Sequence, residues 1–465
     1  MMRKYLFPLC IFLLIAAFLP MGQINAQETP EPPTYVVQPG DTLAIIAIRF
    51  GVPVNDIIAA NNIADPNTIP VNAELRIPGL DGISGRLTTS IVPLGNSYQQ
   101  ILKARQLPEK QFVKLNRITS PAEIVTGISL LMPEIKEEEF LLPYLAVKEN
   151  LTTLEAAVAT HQNPWTLLAV NYQAGNWDML PGEQIFAPAI PDKRPLHPVS
   201  AYITSLEITP LPLKQGQTTT IKIKADQPIT ITGSLAGHPL NFYQDENGDY
   251  VALQGIYGRE EPGLTEFQMM IQGASFGNSG YTQYLLVRAV NFGKLTSIIV
   301  DPVTLDPALT EPEETYVNSL ISTITPTQYW NGSFSALTDE PCINAPYGTS
   351  RSYNNGAYYG FHTGVDFGVC AQNLNIYAPA SGMVIATGQW NVRGNTTIID
   401  HGQGVYSGIY HQSEILVNPG DQVTPGTLIG QIGNTGRSTG PHLHWDLWVG
   451  GIQVDPMAWL NNSFP

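Results

Sequence analysis

The sequence predicts a multidomain chain dominated by β-structure: three compact βααβ repeats, an all-β sandwich, and an antiparallel all-β C-terminal domain with a histidine-centred site. Three observations carry this. Positions recur with a period of 55 between about residues 35 and 189, short runs alternate polar and apolar side chains across 199–303, and five of the eight histidines fall in the last 104 residues. A length of 465 residues fits about three domains at roughly 150 residues each.

With 43% hydrophobic and 13% charged residues, the composition excludes collagen, coiled coil and wholesale disorder. Lys plus Arg number 23 against 39 Asp plus Glu, so the net charge of −16 opposes binding to phosphate backbones and anionic membranes. Nucleic acid is not an expected partner. Arg3 and Lys4 precede an apolar run from Tyr5 to Leu19, with Ala26 beyond a short polar stretch, the layout of a secretory signal over residues 1–26. The run is shorter than the roughly 20 residues that cross a bilayer, and no later run is long enough. After signal removal no stable membrane insertion is expected, and a secreted location follows, extracellular, wall-associated or periplasmic. Cys10 lies inside that run. Cys342 and Cys370 remain, and in an oxidising compartment they can pair, stabilising the fold by about 3.5 kcal/mol in the chain-entropy model; the sequence equally allows two buried thiols.

The repeats are read from their anchors. Pro78, Pro133 and Pro188 each close a strand-like segment 55 residues apart, and Asn61, Asn116 and Asn171 keep that register, as do Thr42, Ser97 and Thr152. In the first copy Tyr35 to Val37 alternates like a strand. Asp41 or Thr42 can cap a helix bearing Leu43, Ile46 and Ala47 that ends at Gly51. Asn55 can cap a second helix through Ile57, Ile58 and Asn61, and Glu74 to Ile77 returns as a strand. The segment YVVQPGDTLAIIAIRFGVPVNDIIAANNI followed by LRIP resembles a LysM module, and the resemblance implies binding to N-acetylglucosamine-containing glycans. Residues 35–78 match well. Residues 90–133 and 144–189 are degenerate LysM-like modules, the third with Asn150 in place of the loop glycine. The implied groove lies between Gly40, Asp41, Thr42 and Leu43 on one side and Asn61, Asn62 and Ile63 on the other. The plainer reading makes Asp41 and Asn61 cap and turn residues.

Across 199–303 the runs TTTIKIKA, ITITGSL, YVALQGI and YTQYLLVRAV are separated by turn residues at the intervals of an antiparallel sandwich, read as an immunoglobulin-like spacer. Asp245, Asn247 and Asp249 could suggest a calcium loop, but Asn247-Gly248 between two strand-like runs reads as a hairpin. The acidic, proline-bearing stretch 301–314 reads as a linker, with the joint as a whole at 304–339 and the last domain at 340–465.

In that last domain, His442 and His444 of HLHW would share one face of a strand, about 6.6 Å apart along it. In HTGVD, His362 and Asp366 would lie about 13 Å apart if fully extended, so the chain must bend to bring them together, which Gly364 permits. Two imidazoles and a carboxylate suit a zinc ion with one open position, and spare neutral imidazoles nearby can move protons to and from a water and a leaving group. His411 and whichever of His442 and His444 is not a ligand fit that role, while His401 is read as satisfying a local turn. The stretches GFHTGVDFGV, IYHQSEI and GNTGRSTGPHLHWDLWVGG closely resemble the lysostaphin-type zinc metallopeptidases that cut peptide cross-bridges in bacterial cell walls. That resemblance makes His362, Asp366 and His444 the Zn2+ ligands and His411 and His442 the catalytic pair, with Gln412 where the family often has an apolar residue. It implies a secreted hydrolase of peptidoglycan, acting on its peptide stems while the modules hold its glycan strands. Two readings compete: a non-catalytic wall-binding scaffold or activator of other wall hydrolases, and a two-histidine, one-carboxylate iron oxygenase.

Overall fold

The computed structural model describes residues 32–80, 82–136, 139–148, 151–191, 193, 195–197, 202–273, 277–293 and 296–465. The secretory-signal reading of residues 1–26 lies outside the described residues. The chain divides into two compact units, Met1–Thr88 and Thr89–Pro465, each taken by itself.

In the first unit, β1 (Thr34–Val36) pairs antiparallel with β2 (Glu74–Arg76), Tyr35 opposite Leu75. Between them run α1 (Leu43–Phe50) and α2 (Val54–Asn61). Leu43, Ile46, Ala47 and Phe50 recur at helical spacing and are the buried face of α1. Thr42 Oγ1 accepts from the Ile45 amide at 3.2 Å, and Gly51, at φ +67°, closes the helix. Asn55 is not a cap: α2 begins after Pro53 with no side-chain cap, because Pro53 already supplies the fixed φ of a helix start. Asn61 ties α2 to β2. Its Nδ2 donates to the carbonyls of Ile57 and Arg76, both at 2.8 Å, and its Oδ1 accepts from the Arg76 amide at 2.7 Å.

The strand β3 (Arg86–Ile91) begins in the first unit and ends in the second, where it leads into α3 (Tyr98–Arg105), α4 (Glu109–Asn116) and β4 (Ser129–Pro133). The third module continues as β5 (Leu142–Ala146), α5 (Thr153–Thr160), α6 (Pro164–Val170) and β6 (Gln184–Ala187). Ser97 and Thr152 cap as Thr42 does, and Asn116 and Asn171 bond Leu131 and Phe186 as Asn61 bonds Arg76. The 55-residue period is therefore the period of a cap and a clamp. These two modules pack on each other through the Lys103–Glu183 ion pair, Gln106 Nε2 donating to the Val170 carbonyl at 2.7 Å, and the Tyr172 hydroxyl on the Leu107 carbonyl at 3.2 Å.

Next come β7 (Ile203–Thr209), β8 (Leu213–Lys214), β9 (Thr218–Ala225), β10 (Ile229–Leu235), β11 (His238–Pro239), β12 (Tyr243–Gln244), β13 (Tyr250–Gly255), β14 (Gly263–Gly273) and β15 (Gly277–Arg288). They form two sheets, in the orders β11-β10-β14-β15-β8 and β12-β13-β9-β7, around one apolar core that includes Ile221, Ile231, Phe267 and Leu285. Asp245 Oδ1 accepts from the Asn247 and Asp249 amides, both at 2.9 Å, and Gly248 sits at φ +80°, so QDENGDY is a hairpin turn with Lys222 bridging its two aspartates.

The stretch read as a linker contains α7 (Pro307–Ile321), packed against the last domain. Its start was legible: Asp306 caps the Ala308 amide at 2.9 Å and Pro307 takes the first helical position. Pro312 and the acidic run obscured the rest of the helix, in which Val317 and Ile321 bury one face against Ala386, Ile398, Tyr406, Tyr410 and Trp448. Glu313 is buried too, accepting from the Val392 and Arg393 amides at 2.8 and 3.1 Å and pairing with the Arg393 guanidinium at 3.0 Å.

The strands that complete the chain are β16 (Thr296–Ile298), β17 (Ile343–Ala345), β18 (Ser350–Tyr353), β19 (Tyr358–Phe361), β20 (Val365–Phe367), β21 (Asn375–Tyr377), β22 (Gly382–Trp390), β23 (Gly394–Gly402), β24 (Val405–Gln412), β25 (Glu414–Ile415), β26 (Gln422–Val423), β27 (Leu428–Gln431), β28 (Leu443–Val449) and β29 (Ile452–Val454), before a last helix α8 (Met457–Asn461). An eight-stranded sheet runs β17-β20-β28-β24-β23-β22-β26, with β29 also on β28. Alternation sorts its faces: Leu443, Trp445 and Leu447 enter one core, while His444, Asp446 and Trp448 face the side that α7 covers. Cys342 and Cys370 form a disulfide.

Candidate metal centre

Strand register assembles the centre. In adjacent strands Asp366 lies opposite His444, and His444 opposite Tyr410, so three side chains stand side by side on one face. His362 comes directly after β19, held by its amide on the Thr349 carbonyl at 2.8 Å, and reaches the same point across the bend at Thr363 and Gly364. Gly364 serves there by its lack of a side chain, since a Cβ would run into the Trp445 carbonyl, Asp446 Oδ1 and His444 Nε2.

His362 Nε2, His444 Nδ1 and Asp366 Oδ1 meet at 2.9, 2.8 and 3.0 Å from one another, and all three residues are buried. Outward hydrogen bonds fix the imidazoles: His362 Nδ1 donates to the Pro346 carbonyl at 2.9 Å, and His444 Nε2 to Asp446 Oδ1 at 2.8 Å. His362 Nε2 and His444 Nδ1 are thus the ring atoms left facing the Asp366 oxygen, as donors to a cation or as carriers of a shared proton in its place. Three acceptors this close repel unless a cation or a proton lies among them, which is the electrostatic signature of a ligand set. Burial opposes charge on His444, but Asp446 and Asp366 outweigh it and raise the imidazole to about 9. Burial likewise opposes ionisation of Asp366, and its bonds to His362 and His444 outweigh it, holding the carboxyl far below the usual range. Asp366 Oδ2 accepts from Arg351 Nη2 at 2.8 Å.

His442 brings Nε2 to 3.6 Å from Asp366 Oδ1, with Nδ1 on the Gly440 carbonyl at 2.8 Å. His411 lies at φ +61°; this left-handed residue lets it come after Tyr410 yet face the same side, against strand alternation. Its Nδ1 donates to the Thr435 carbonyl at 2.7 Å, leaving Nε2 as an acceptor, and its ring centroid is 4.7 Å from that of His442. Burial, with His442 and His444 adding to it, pulls His411 down to about 3, and burial also lowers His442. Gln412 turns into the interior and donates to Thr397 Oγ1 at 2.9 Å. His401 lies in the core, its Nδ1 on the Ser381 carbonyl at 2.8 Å and its Nε2 accepting from the Ser407 hydroxyl at 2.9 Å. A cavity of about 630 Å³ opens beside the centre, reached by His362, His411 and His444, by Tyr257 of the β-sandwich unit, and by Arg351 and Arg437.

Sequence reasoning missed Asp446, Tyr410 and Arg351. Asp446 accepts from His444, from Thr363 Oγ1 at 3.0 Å, from the Tyr410 hydroxyl at 3.1 Å and from Gln453 Nε2 at 2.8 Å. The Tyr410 ring stacks on that of His444, centroids 5.2 Å apart. Asp446 was findable, because it stands two residues after His444 and so shares its face; Arg351 carried no such signal.

Of the residues read as a glycan groove, Leu43 is core and the Asn61 side chain is taken up by the β2 clamp. Asp41 accepts from the Tyr35 hydroxyl at 2.6 Å and pairs with Arg49 at 2.9 Å. Gly40, Thr42 and Asn62 are exposed and Ile63 half-buried.

A buried cluster of two histidines and an aspartate able to hold a metal ion, flanked by two further histidines, thus sits on an antiparallel sheet. The model of peptidase family M23 matches residues 360–456, and that of the LysM domain residues 35–78. The chain therefore carries an M23 peptidase domain and a LysM domain. It is similar to peptidoglycan DD-endopeptidase ShyA of Vibrio cholerae, 41% identical over 96 residues, which are 21% of this chain and 22% of that protein. It is also similar to the DD-carboxypeptidase/endopeptidase Mpg of Neisseria meningitidis, 37% identical over 97 residues, 21% and 22% of the two chains. The match thus spans about a fifth of the length of these curated relatives. Among solved structures, a putative peptidase M23 from Pseudomonas aeruginosa is 27% identical with a TM-score of 0.41, covering 55% of this chain and 96% of that one. The catalytic domain of lysostaphin from Staphylococcus simulans is 27% identical with a TM-score of 0.21, covering 28% and 92%.

Proposed function

We propose that this chain is a secreted peptidoglycan hydrolase that holds wall glycan through its LysM module and cleaves peptide cross-bridges by zinc-dependent hydrolysis, outside the cell membrane in the wall or periplasm. The observation that carries the reading is the convergence of His362 Nε2, His444 Nδ1 and Asp366 Oδ1 beside two further imidazoles, His411 and His442, that burial keeps neutral. The Cys342–Cys370 disulfide suits an oxidising compartment. The two-sheet unit serves as an immunoglobulin-like spacer that also lends Tyr257 to the cleft wall.

The donor set fits zinc, with two nitrogens and one oxygen and room for a fourth partner on the cavity side. Bound there, zinc would polarise the scissile carbonyl and lower the pKa of a water. The protein's own groups do the rest. His411, kept neutral by burial and with Nε2 free, accepts the proton of the attacking water. The proton that His411 has taken up then goes to the leaving amine, and His442, its Nδ1 anchored on Gly440, directs Nε2 at the same point as a second acceptor. Asp446 holds His444 in the tautomer that keeps Nδ1 facing inward.

Digestion of purified sacculi with and without a zinc chelator tests the reading, alongside metal content of His411→Ala and His444→Ala. Chelator-sensitive release of peptide ends is expected, with His411→Ala inactive yet metal-loaded and His444→Ala inactive and metal-poor. Sacculi that bind the protein but release no ends would make it a scaffold, and equal metal loss in both variants would overturn the division of roles.

A further inference from the structure

Three arginines reach the catalytic cavity, and two are neutralised within the protein. Arg351 pairs with Asp366 at 2.8 Å, and Arg393 with Glu313 and Glu314 at 3.0 and 2.6 Å. Arg437 is different. Its guanidinium lies over the Tyr353 ring, 5.0 Å from the centroid, and its polar side-chain contact is Nη1 at 3.5 Å from the Thr304 carbonyl, at the outer limit of a hydrogen bond. Among the described residues no carboxylate comes within ion-pair reach of it. The Arg437 amide is fixed on the Val392 carbonyl at 2.8 Å, and the next residue, Ser438, places its hydroxyl 3.1 Å from His442 Nδ1. In a chain of net charge −16, a cation left unpaired beside the catalytic histidines stands out.

We propose that Arg437 is a specificity-determining residue that receives a free carboxylate carried by the peptide close to the scissile bond, so that the substrate is an acidic cross-linked stem rather than an uncharged bridge. This rests on the hydrolase reading above. A planar guanidinium pre-oriented on an aromatic face presents two parallel N–H groups, the geometry that a carboxylate accepts in bidentate fashion. The exposed Glu311, which also lines the cavity, repels a second carboxylate, which favours a single orientation of the peptide.

The test uses the full zinc-loaded chain and two synthetic D-alanyl-linked stem dimers, identical except that the residue on the amine side of the scissile bond carries a carboxylate or a carboxamide. The wild type should favour the carboxylate by about 10- to 100-fold in kcat/KM, mostly through KM, the span of one charge-assisted hydrogen-bonded pair. Arg437→Ala should lose that preference by losing only the carboxylate peptide, and Arg437→Lys should keep part of it. Equal cleavage of the two dimers by the wild type, or equal loss on both in Arg437→Ala, overturns the assignment and leaves Arg437 as a strut to Thr304. If sacculi are digested while neither dimer is, an uncharged bridge is the substrate and the assignment falls alone. If sacculi are also untouched, the hydrolase reading falls with it.

Discussion

Replacing Asp446 by Asn keeps the size of the side chain and removes its charge, and the consequence can be traced atom by atom. The carboxylate accepts four hydrogen bonds, from His444, Thr363, Tyr410 and Gln453, while almost wholly buried. An amide accepts through one oxygen only, and its NH2 would confront at least one of these donors. If that donor is His444 Nε2–H, the ring escapes the clash by carrying its proton on Nδ1, the atom that faces His362 and Asp366. Metal binding must then leave the ring's proton on Nε2, where the acceptor that Asp446 supplied is gone. Losses of this kind at outer-shell carboxylates run to about 10- to 100-fold in affinity, or roughly 1.4 to 2.7 kcal/mol. Competition with a fluorescent chelator measures the zinc affinity of wild type and Asp446→Asn, and peptide release at saturating zinc measures what activity returns. An affinity within twofold of wild type would refute the claim that Asp446 sets the His444 tautomer.

Buried groups away from the donor set govern stability in two testable ways. Glu313→Ala leaves Arg393 Nη1 and two backbone amides without their acceptor while Nη2 keeps Glu314, and should cost the second unit about 3 to 5 kcal/mol in urea unfolding monitored by tryptophan fluorescence; a change under about 1 kcal/mol would show that Glu314 or water replaces Glu313. Burial pulls His401 down to about 4, so between that value and about 6.5 the unfolded chain binds a proton that the folded chain refuses. The stability contributed by neutral His401 is complete above about pH 6.5 and falls as the pH drops towards 4, by about 2 kcal/mol at pH 5. Unfolding midpoints at pH 7 and 5 should therefore differ more for wild type than for His401→Asn, and an identical pH dependence would contradict this account.

What could be read from the chain alone was what repeats or what carries its own chemistry. Asn61, Asn116 and Asn171 announced the modules because each performs the same bond between a helix end and a strand. His442 and His444 announced the centre because strand alternation alone puts them on one side. Relations between distant segments were not legible. Arg351 meets Asp366 only because β18 and β20 fold near one another, and nothing local in either strand signals it. Glu313 looked like part of a solvated acidic run, and only the turn at Val392 and Arg393, some 80 positions away, reveals it as a buried acceptor. His411 showed its chemistry but not its left-handed backbone, which depends on the tertiary bond to Thr435. Asn61 was a different kind of miss: the repeat that exposed it is the clamp that occupies its side chain, away from any sugar.

The position of α7 bears on how the molecule could be dissected or borrowed. A fragment trimmed to begin at residue 340, the domain start expected from the sequence, would strip the cover from Ala386, Ile398, Tyr406 and Trp448 and strand a buried guanidinium. It would also delete Trp330 and Phe334 from beneath Trp459. Any autonomous cutting module, whether excised by a protease or grafted onto another binding partner, has to start upstream of Asp301, carrying with it a segment whose composition alone would have it discarded as a tether.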